Sequence, residues 1–519
     1  MTLHDMVSNG DLLVAALNRN PDKPAVYLGD EVLTGAQVAA EVSRYAQAMA
    51  SLGIGQGSPT AVLALNRPEV LFNMGAGMVL GARGTPLHPM GSLDDHVYIL
   101  TDAGTETLVV DTTIFGERAA ELAKALPSLR ILTFDPSDLG ESLPALAAGF
   151  EPQPLVAARV DPDDVGSLAY TGGTTGKPKG VMMPPRSSVT MTQIQLAEWD
   201  WPDEPRFLIA TPLSHAGAAF FIPTLLKGGS IVVIPWFDPE LVLETIEKFR
   251  ITATMVVPTM LYVLLDHPGF ADADLSSLET VYYGAAAMSP TRLTEAIEKM
   301  GPIFVQFYGQ AECPMAICVM NRADHDLSRP ERLASCGRPA PWVRVRLLDD
   351  DGNEVPKGQP GEICVQGPLV MLGYWNKPEQ TAEAFAGGWL HTGDIAREDD
   401  DGFFYIVDRK KDMIVTGGFN VFPREVEDVI GEHPSVAQVA VIGVPDERWG
   451  ETVKAVVVAR PGATVEVDEL IALVKDRKGS HVAPKSVDVV DDIPVSALGK
   501  PDKKALRERY WAGAARQVN

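Results

Sequence analysis

Over the first four hundred residues, short continuous apolar runs alternate with stretches in which apolar positions recur every three or four residues. The runs at 61–65, 107–110, 131–134, 206–210, 230–234 and 254–257 are predicted as buried strands. The stretches at 35–52, 69–80 and 239–249 are predicted as amphipathic helices between them. Buried strands separated by helices imply an α/β architecture with largely parallel sheets. From 340 to 408 the pattern changes to shorter strands (343–348, 361–366, 403–407) joined by Asp-Gly and Pro-Gly turns. That predicts a more antiparallel, β-barrel-like piece. Beyond Arg409-Lys410-Lys411 come a helix (423–432), two strands (436–444, 452–459), a helix (467–477) and a strand (486–490), predicting a small α+β domain. The expected division is a large N-terminal domain, 1–409, and a small C-terminal domain, 410–519. No internal repeat or low-complexity segment interrupts this plan.

Composition narrows the class. The chain has 519 residues, 46% hydrophobic and 22% charged, in the range of an ordinary globular protein with a large core. A net charge of −25 argues against a nucleic-acid partner, whose phosphates it would repel. An anionic substrate would need a locally basic site. Cys313, Cys318, Cys336 and Cys364 form no Cys-x-x-Cys pair and have no histidine at zinc-finger spacing, so they read as buried or idle thiols in a reducing compartment. Residues 1–10 carry no secretory pattern, and the longest apolar runs fall far short of a membrane span. The expectation is a cytoplasmic protein without a transmembrane segment, monomeric or homodimeric.

The most informative stretch is Tyr170-Thr171-Gly172-Gly173-Thr174-Thr175-Gly176-Lys177-Pro178-Lys179-Gly180. Glycines let backbone N–H groups approach an anion, and hydroxyls and ammonium groups add donors. A Walker loop is excluded: Thr171 stands where its first glycine should be, and Pro178 replaces the Mg²⁺-binding hydroxyl. Pro178 also disfavours helix at Lys177. The stretch therefore reads as a polyphosphate loop of another kind.

Further along, Glu312 ends Phe-Tyr-Gly-Gln-Ala-Glu; a carboxylate beside a polyphosphate can hold Mg²⁺, although alone it reads as a solvated loop glutamate. Asp394, in His-Thr-Gly-Asp, could accept ribose hydroxyls or cap a turn. Arg409 suits ribose or phosphate, or simply a basic turn. Lys500, in Leu-Gly-Lys-Pro, is a flexible point charge able to neutralise a carboxylate and a phosphate, though a tail lysine alone is a weak signal. His215 could line a pocket or sit satisfied in the core.

In order and spacing, these segments together resemble the adenylate-forming superfamily of acyl- and aryl-CoA synthetases, luciferases and peptide-synthetase adenylation domains. The run 417–427, Gly-Gly-Phe-Asn-Val-Phe-Pro-Arg-Glu-Val-Glu, most resembles fatty-acid–CoA ligases, and aryl-acid ligases such as 4-coumarate– and feruloyl-CoA ligases share the same motifs. The resemblance implies an ATP-, Mg²⁺- and CoA-dependent ligase. A carboxylic acid and ATP give an acyl-adenylate and pyrophosphate; CoA then displaces AMP. It places Thr171, Gly172, Gly173, Thr174, Thr175, Gly176, Lys177 and Lys179 on the β,γ-phosphates, with Thr174 and Glu312 at Mg²⁺. It places Tyr308 by adenine, with Gly309, Gln310 and Ala311 beside it, and Gly284, Ala285 and Ala286 between the adenine and acyl sites. Asp394 and Arg409 fall to the ribose, and Lys500 to the carboxylate and α-phosphate. Lys411 sits at the hinge of a mobile lid whose Gly417 and Gly418 flank the pantetheine.

Two positions depart from the family pattern. Gly172 removes one hydroxyl from the phosphate loop, and Ala311 stands where a threonine contacting the α-phosphate is usual, which puts one phosphate contact in doubt. The segments that form the acyl pocket, carrying His215, Gly217, Ala218, Phe221 and Tyr262, hold no charge to pair with a second carboxylate or an amine. An apolar or aromatic monocarboxylate is expected, since burying an unpaired polar head there would cost about 2–7 kcal/mol. An acyl-AMP ligase that loads a carrier protein is the alternative; no obvious insertion that would block lid rotation lies between Glu312 and Arg409. A nucleotide sensor on the same scaffold would not need Lys500 and Glu312.

Overall fold

The computed structural model of the chain describes residues 6–171, 177–410, 412–416, 419–446, 450–480, 482–495 and 501–511. Its larger part is built on two mainly parallel sheets. The first orders Arg338–Pro339, Cys313–Met320, Phe304–Gln310, Thr280–Tyr283, Ala253–Val256, Arg206–Ile209, Ser230–Val233, Pro24–Leu28 and Glu31–Thr34. The second orders Glu141–Ser142, Arg130–Thr133, Thr107–Val110, Pro59–Leu63, Arg83–Pro86, Ser167–Thr171 and Lys179–Met183. Inner strands of both sheets are apolar on both faces, as in Thr107–Val110 and Thr280–Tyr283, because helices cover each side.

Proline at the first helical turn starts many of those helices, including Pro68–Leu80, Pro185–Glu198, Pro239–Phe249 and Pro290–Met300. Its missing N–H is unneeded there and its fixed φ is already helical. Between the sheets, Trp199, Trp201, Phe207, Phe220, Tyr282 and Phe307 form one aromatic core, with Phe207 and Phe220 stacked at 4.5 Å. The predicted strand at 61–65 begins earlier, at Pro59, since a proline is tolerated as the first residue of a strand.

The segment expected to be antiparallel is a four-stranded antiparallel sheet, Arg344–Leu348, Gly361–Gln366, Leu390–Glu398 and Phe404–Arg409. The small C-terminal domain carries Phe419–Val421, Ile414–Thr416, Gly450–Ala459 and Val436–Asp446 in one sheet, with Ser486–Val490 parallel to Gly450–Ala459. Helices Pro423–Gly431 and Val467–Lys478 close it over its own apolar cluster around Val426, Ile430, Val453 and Leu470. All four cysteines are buried and free, as expected. Among the described residues no helix is long and apolar enough to cross a membrane.

Candidate active site

A cleft of about 3470 Å³ runs between these sheets and reaches the C-terminal domain. Its chemistry gathers where strands end, the usual place for ligands in α/β sheets. The two ends of the phosphate-type stretch lie on paired strands: Ser167–Thr171 pairs antiparallel with Lys179–Met183, and Thr171 faces Lys179 in register. Thr171, Pro178 and Lys179 line the cleft. Lys179 Nζ lies 4.6 Å from the centre of the Tyr374 ring and Lys177 Nζ 4.9 Å from that of Tyr98, so both cations rest on aromatic faces. Gly172, Gly173, Thr174, Thr175 and Gly176 lie outside the described residues, as do Lys411, Gly417, Gly418 and Lys500.

Strands Thr280–Tyr283 and Phe304–Gln310 are parallel neighbours, and the residues that follow them meet at the cleft. Ala285, Ala286, Tyr308, Gly309, Gln310, Ala311 and Glu312 all line it, while Gly284 packs behind them on Phe307. Gly309 is required by close approach: a Cβ there would stand 2.3 Å from Met315 N. Tyr374 was not singled out from the sequence, yet its hydroxyl donates to Glu312 Oε1 at 2.8 Å. Burial pushes that phenol's pKa up, as do the Glu312 charge and hydrogen bond, so it stays a donor.

Asp394 and Arg409 face each other across the antiparallel pair Leu390–Glu398 and Phe404–Arg409. Arg409 Nε is 2.6 Å from Asp394 Oδ1, and Tyr308 OH donates to Asp394 Oδ2 at 2.6 Å. Asp394 N donates to Thr392 Oγ1 at 3.1 Å, which steadies the turn. Burial opposes the charge on Arg409, but Asp394, Tyr308 and Glu312 outweigh it and raise its pKa. Three widely separated sequence signals thus converge on one carboxylate.

The acyl-side residues are brought together only in part. His215, Ala218 and Tyr262 line the cleft. His215 stacks edge-on against His88 at 4.7 Å; burial, with His88 beside it, pushes its pKa down to about 4. The ring is therefore neutral near pH 7, which suits an apolar neighbour. Phe221 is instead fully buried in the core, and Gly217 is buried against Thr211 O; Ala219 and Ile222 of the same segment take the lining positions.

The cleft also extends where sequence reasoning did not look. Thr60, Val62 and Ala64, then Gly84, Pro86 and His88, then Ser167, Ala169 and Thr171 line it. These are alternate positions on three adjacent parallel strands and the residues just past two of them, so they form one sheet face. The opposite wall is helical: Val70, Asn73, Met74, Gly77 and Met78 on one face of Pro68–Leu80, with Ser188, Met191 and Thr192 on Pro185–Glu198. Ser167–Thr171, the strand bordering this part of the cleft, is about 13 Å long, and Met74, Met78 and Met191 add an adaptable apolar lining.

A cleft lined by convergent polar groups, with the small C-terminal domain at its rim, is the setting in which family and relatives place an adenylate-forming enzyme of the acid–thiol ligase class. The chain belongs to the AMP-binding enzyme family: the profile of the AMP-binding enzyme matches residues 13–375 and that of its C-terminal domain residues 425–500. It is 58% identical over 530 residues to the medium/long-chain-fatty-acid–CoA ligase FadD8 of Mycobacterium tuberculosis, covering 99% of this chain and 92% of that relative. It is 39% identical over 504 residues to a feruloyl-CoA synthase of Amycolatopsis sp, covering 96% and 99%. Among solved structures, the amide bond synthetase McbA from Marinactinospora thermotolerans superposes with a TM-score of 0.89 at 34% identity, covering 96% of this chain and 99% of that one.

Proposed function

We propose that this chain is a CoA ligase for aliphatic monocarboxylic acids of medium to long chain. The observation that carries the substrate class is the largely apolar lining where the cleft passes the sheet face at 60–64 and helix Pro68–Leu80, with Val62, Ala64, Val70, Met74, Met78 and Met191. An extended chain spans about 3.3–3.6 Å per three bonds, so about 13 Å of this lining takes on the order of a dozen carbons. A hydroxycinnamate would leave its far end empty. The identity shared with a fatty-acid–CoA ligase supports the same reading.

The residues divide the work in two steps. In the first, a carboxylate oxygen of the acid attacks the α-phosphorus of ATP and the bond to pyrophosphate breaks. Lys177, Lys179 and the loop between Thr171 and Lys177 attend the β,γ-phosphates. Asp394 accepts the ribose hydroxyls, its carboxylate oriented by Tyr308 and Arg409. Gly284, Ala285, Ala286, Tyr308 and the Gly309–Ala311 turn border the adenine. Glu312 fits Mg²⁺: it is a hard oxygen ligand at the cleft, and only one of its carboxylate oxygens accepts a hydrogen bond among the described residues. The ion would neutralise phosphate charge there. In the second step the CoA sulfur attacks the acyl carbon, the thiol gives up its proton, and AMP leaves. We assign Lys500 to the first step, and a rotation of the 410–519 domain about Lys411, bringing Gly417 and Gly418 to the thiol, to the second.

This division is testable in full-length protein. Lys500→Ala is expected to lower pyrophosphate–ATP exchange by roughly 10²–10³, the size of losing one charge-stabilising donor. Thioester formation from supplied acyl-adenylate should fall far less. Unchanged exchange would remove Lys500 from the first step. Transfer to a carrier protein rather than CoA is the second reading; it requires pyrophosphate release that CoA does not convert into thioester.

A further inference from the structure

We propose that Glu362, Cys364 and His391 form a binding site for a thiophilic divalent cation of the zinc type, separate from any Mg²⁺ at Glu312. The three donors lie within 4.8 Å of one another on the wall of the four-stranded antiparallel sheet. Cys364 and His391 are direct cross-strand partners, and a bulge between Glu362 and Cys364 breaks the pairing register there. Bulges re-aim side chains, and here carboxylate, thiol and imidazole point to one spot.

The spacing suits a small tetrahedral ion. His391 Nδ1 is 3.0 Å from Glu362 Oε2 and 3.5 Å from Cys364 Sγ. Bonds of about 2.0–2.3 Å to a tetrahedral zinc put its ligands roughly 3.3–3.8 Å apart, so small side-chain shifts would admit the ion. The surroundings hold the ligands in place. Ala386 O lies 3.1 Å from His391 Nε2, and Glu362 Oε1 accepts from Gly393 N at 2.9 Å. A metal-bound histidine is commonly oriented through its other ring nitrogen in this way.

His391 Nδ1 lies beside both Glu362 Oε2 and Cys364 Sγ, so it is the ring nitrogen placed to share an ion with the other two donors. Lys410 Nζ now stands 3.4 Å from Glu362 Oε2 but only 2.7 Å from Asp350 Oδ1, so it has a partner to retain when an ion takes its place at Glu362. Glu362 and His391 line the cleft, giving access and a fourth position for water, while Cys364 is fully buried behind them. Thiolate and imidazole select zinc-type ions over magnesium.

Cobalt(II) titration of the metal-free full chain tests this. The expected result is one equivalent bound, with a thiolate-to-cobalt charge-transfer band and the strong visible bands of a four-coordinate site, both removed by zinc. Cys364→Ser should lose the charge-transfer band. His391→Ala, which keeps the thiol, should weaken cobalt binding at least about tenfold. Circular dichroism checks that each variant folds, and if Cys364→Ser does not, His391→Ala decides. The absence of a charge-transfer band in the wild-type chain, its survival in Cys364→Ser, or unaltered affinity in His391→Ala would overturn the site.

Discussion

Asp394→Ala should lower kcat/KM for ATP by on the order of 100-fold while leaving KM for the acid nearly unchanged. The carboxylate is 3% exposed and is held by Tyr308 and Arg409 from two other parts of the chain. Hydrogen bonds to a charged group contribute about 1.5–3 kcal/mol each, and losing those to a ribose gives roughly that factor. Removing the carboxylate also leaves Arg409 without its closest anion. Arg409 is 42% exposed, so water takes over part of that interaction and the variant should melt only modestly earlier. Asp394→Asn keeps two heteroatoms and should lose less of both. Steady-state kinetics with ATP varied, and thermal melts with and without ATP, separate the two effects. If KM for ATP does not move, Asp394 is a structural residue and the ribose lies elsewhere.

The second large effect is expected at Gly77→Phe. Gly77 interrupts helix Pro68–Leu80 where a glycine is worse than alanine by about 0.5–1 kcal/mol. Its neighbour Gly75 is explained by packing, since a Cβ there would meet Leu13 and Val42 at 3.0 Å. At Gly77 a Cβ would meet nothing within 4 Å, and the residue lines the cleft. Its missing side chain therefore makes space rather than relieving a clash. A phenyl ring there should block the apolar part of the cleft beyond its near half. Each excluded methylene forfeits up to about 0.8 kcal/mol, so four of them amount to about 3 kcal/mol, or roughly 100-fold in kcat/KM. Palmitate should suffer this loss while hexanoate is spared. Gly77→Ala should stabilise the helix and keep the chain-length profile. Equal losses for hexanoate and palmitate would mean that the acid lies elsewhere.

These two residues mark what the sequence made legible and what it hid. Glu312, Asp394 and Arg409 stand in short motifs that admit Mg²⁺, ribose or phosphate roles as readily as loop or turn roles, Tyr308 enters only through the family resemblance, and the fold brings the four together. Strand and helix periodicities likewise placed 239–249 and 361–366 with the same bounds as the helix Pro239–Phe249 and the strand Gly361–Gln366. Gly77 gave no such signal, because a glycine inside an amphipathic helix reads locally as a flaw; its meaning depends on a sheet face contributed by 59–63, 83–86 and 167–171. Phe221 was hidden for the opposite reason. Its motif neighbours line the cleft, but helix rotation between residues 219 and 222 turns its ring into the core. Tyr374 meets Glu312 through a hydrogen bond between residues far apart in sequence, which no local pattern encodes. The Glu362–Cys364–His391 group depends on a strand pairing and a bulge, which local sequence does not specify.

The most direct test of the account is ATP-dependent AMP release across hexanoate, octanoate, palmitate, benzoate, 4-coumarate and ferulate, with and without CoA. CoA-dependent AMP and acyl-CoA are expected together, with kcat/KM rising from hexanoate to the longer alkanoates and well above the aryl acids. Turnover confined to benzoate, coumarate or ferulate, or pyrophosphate release that never yields a thioester, would contradict it.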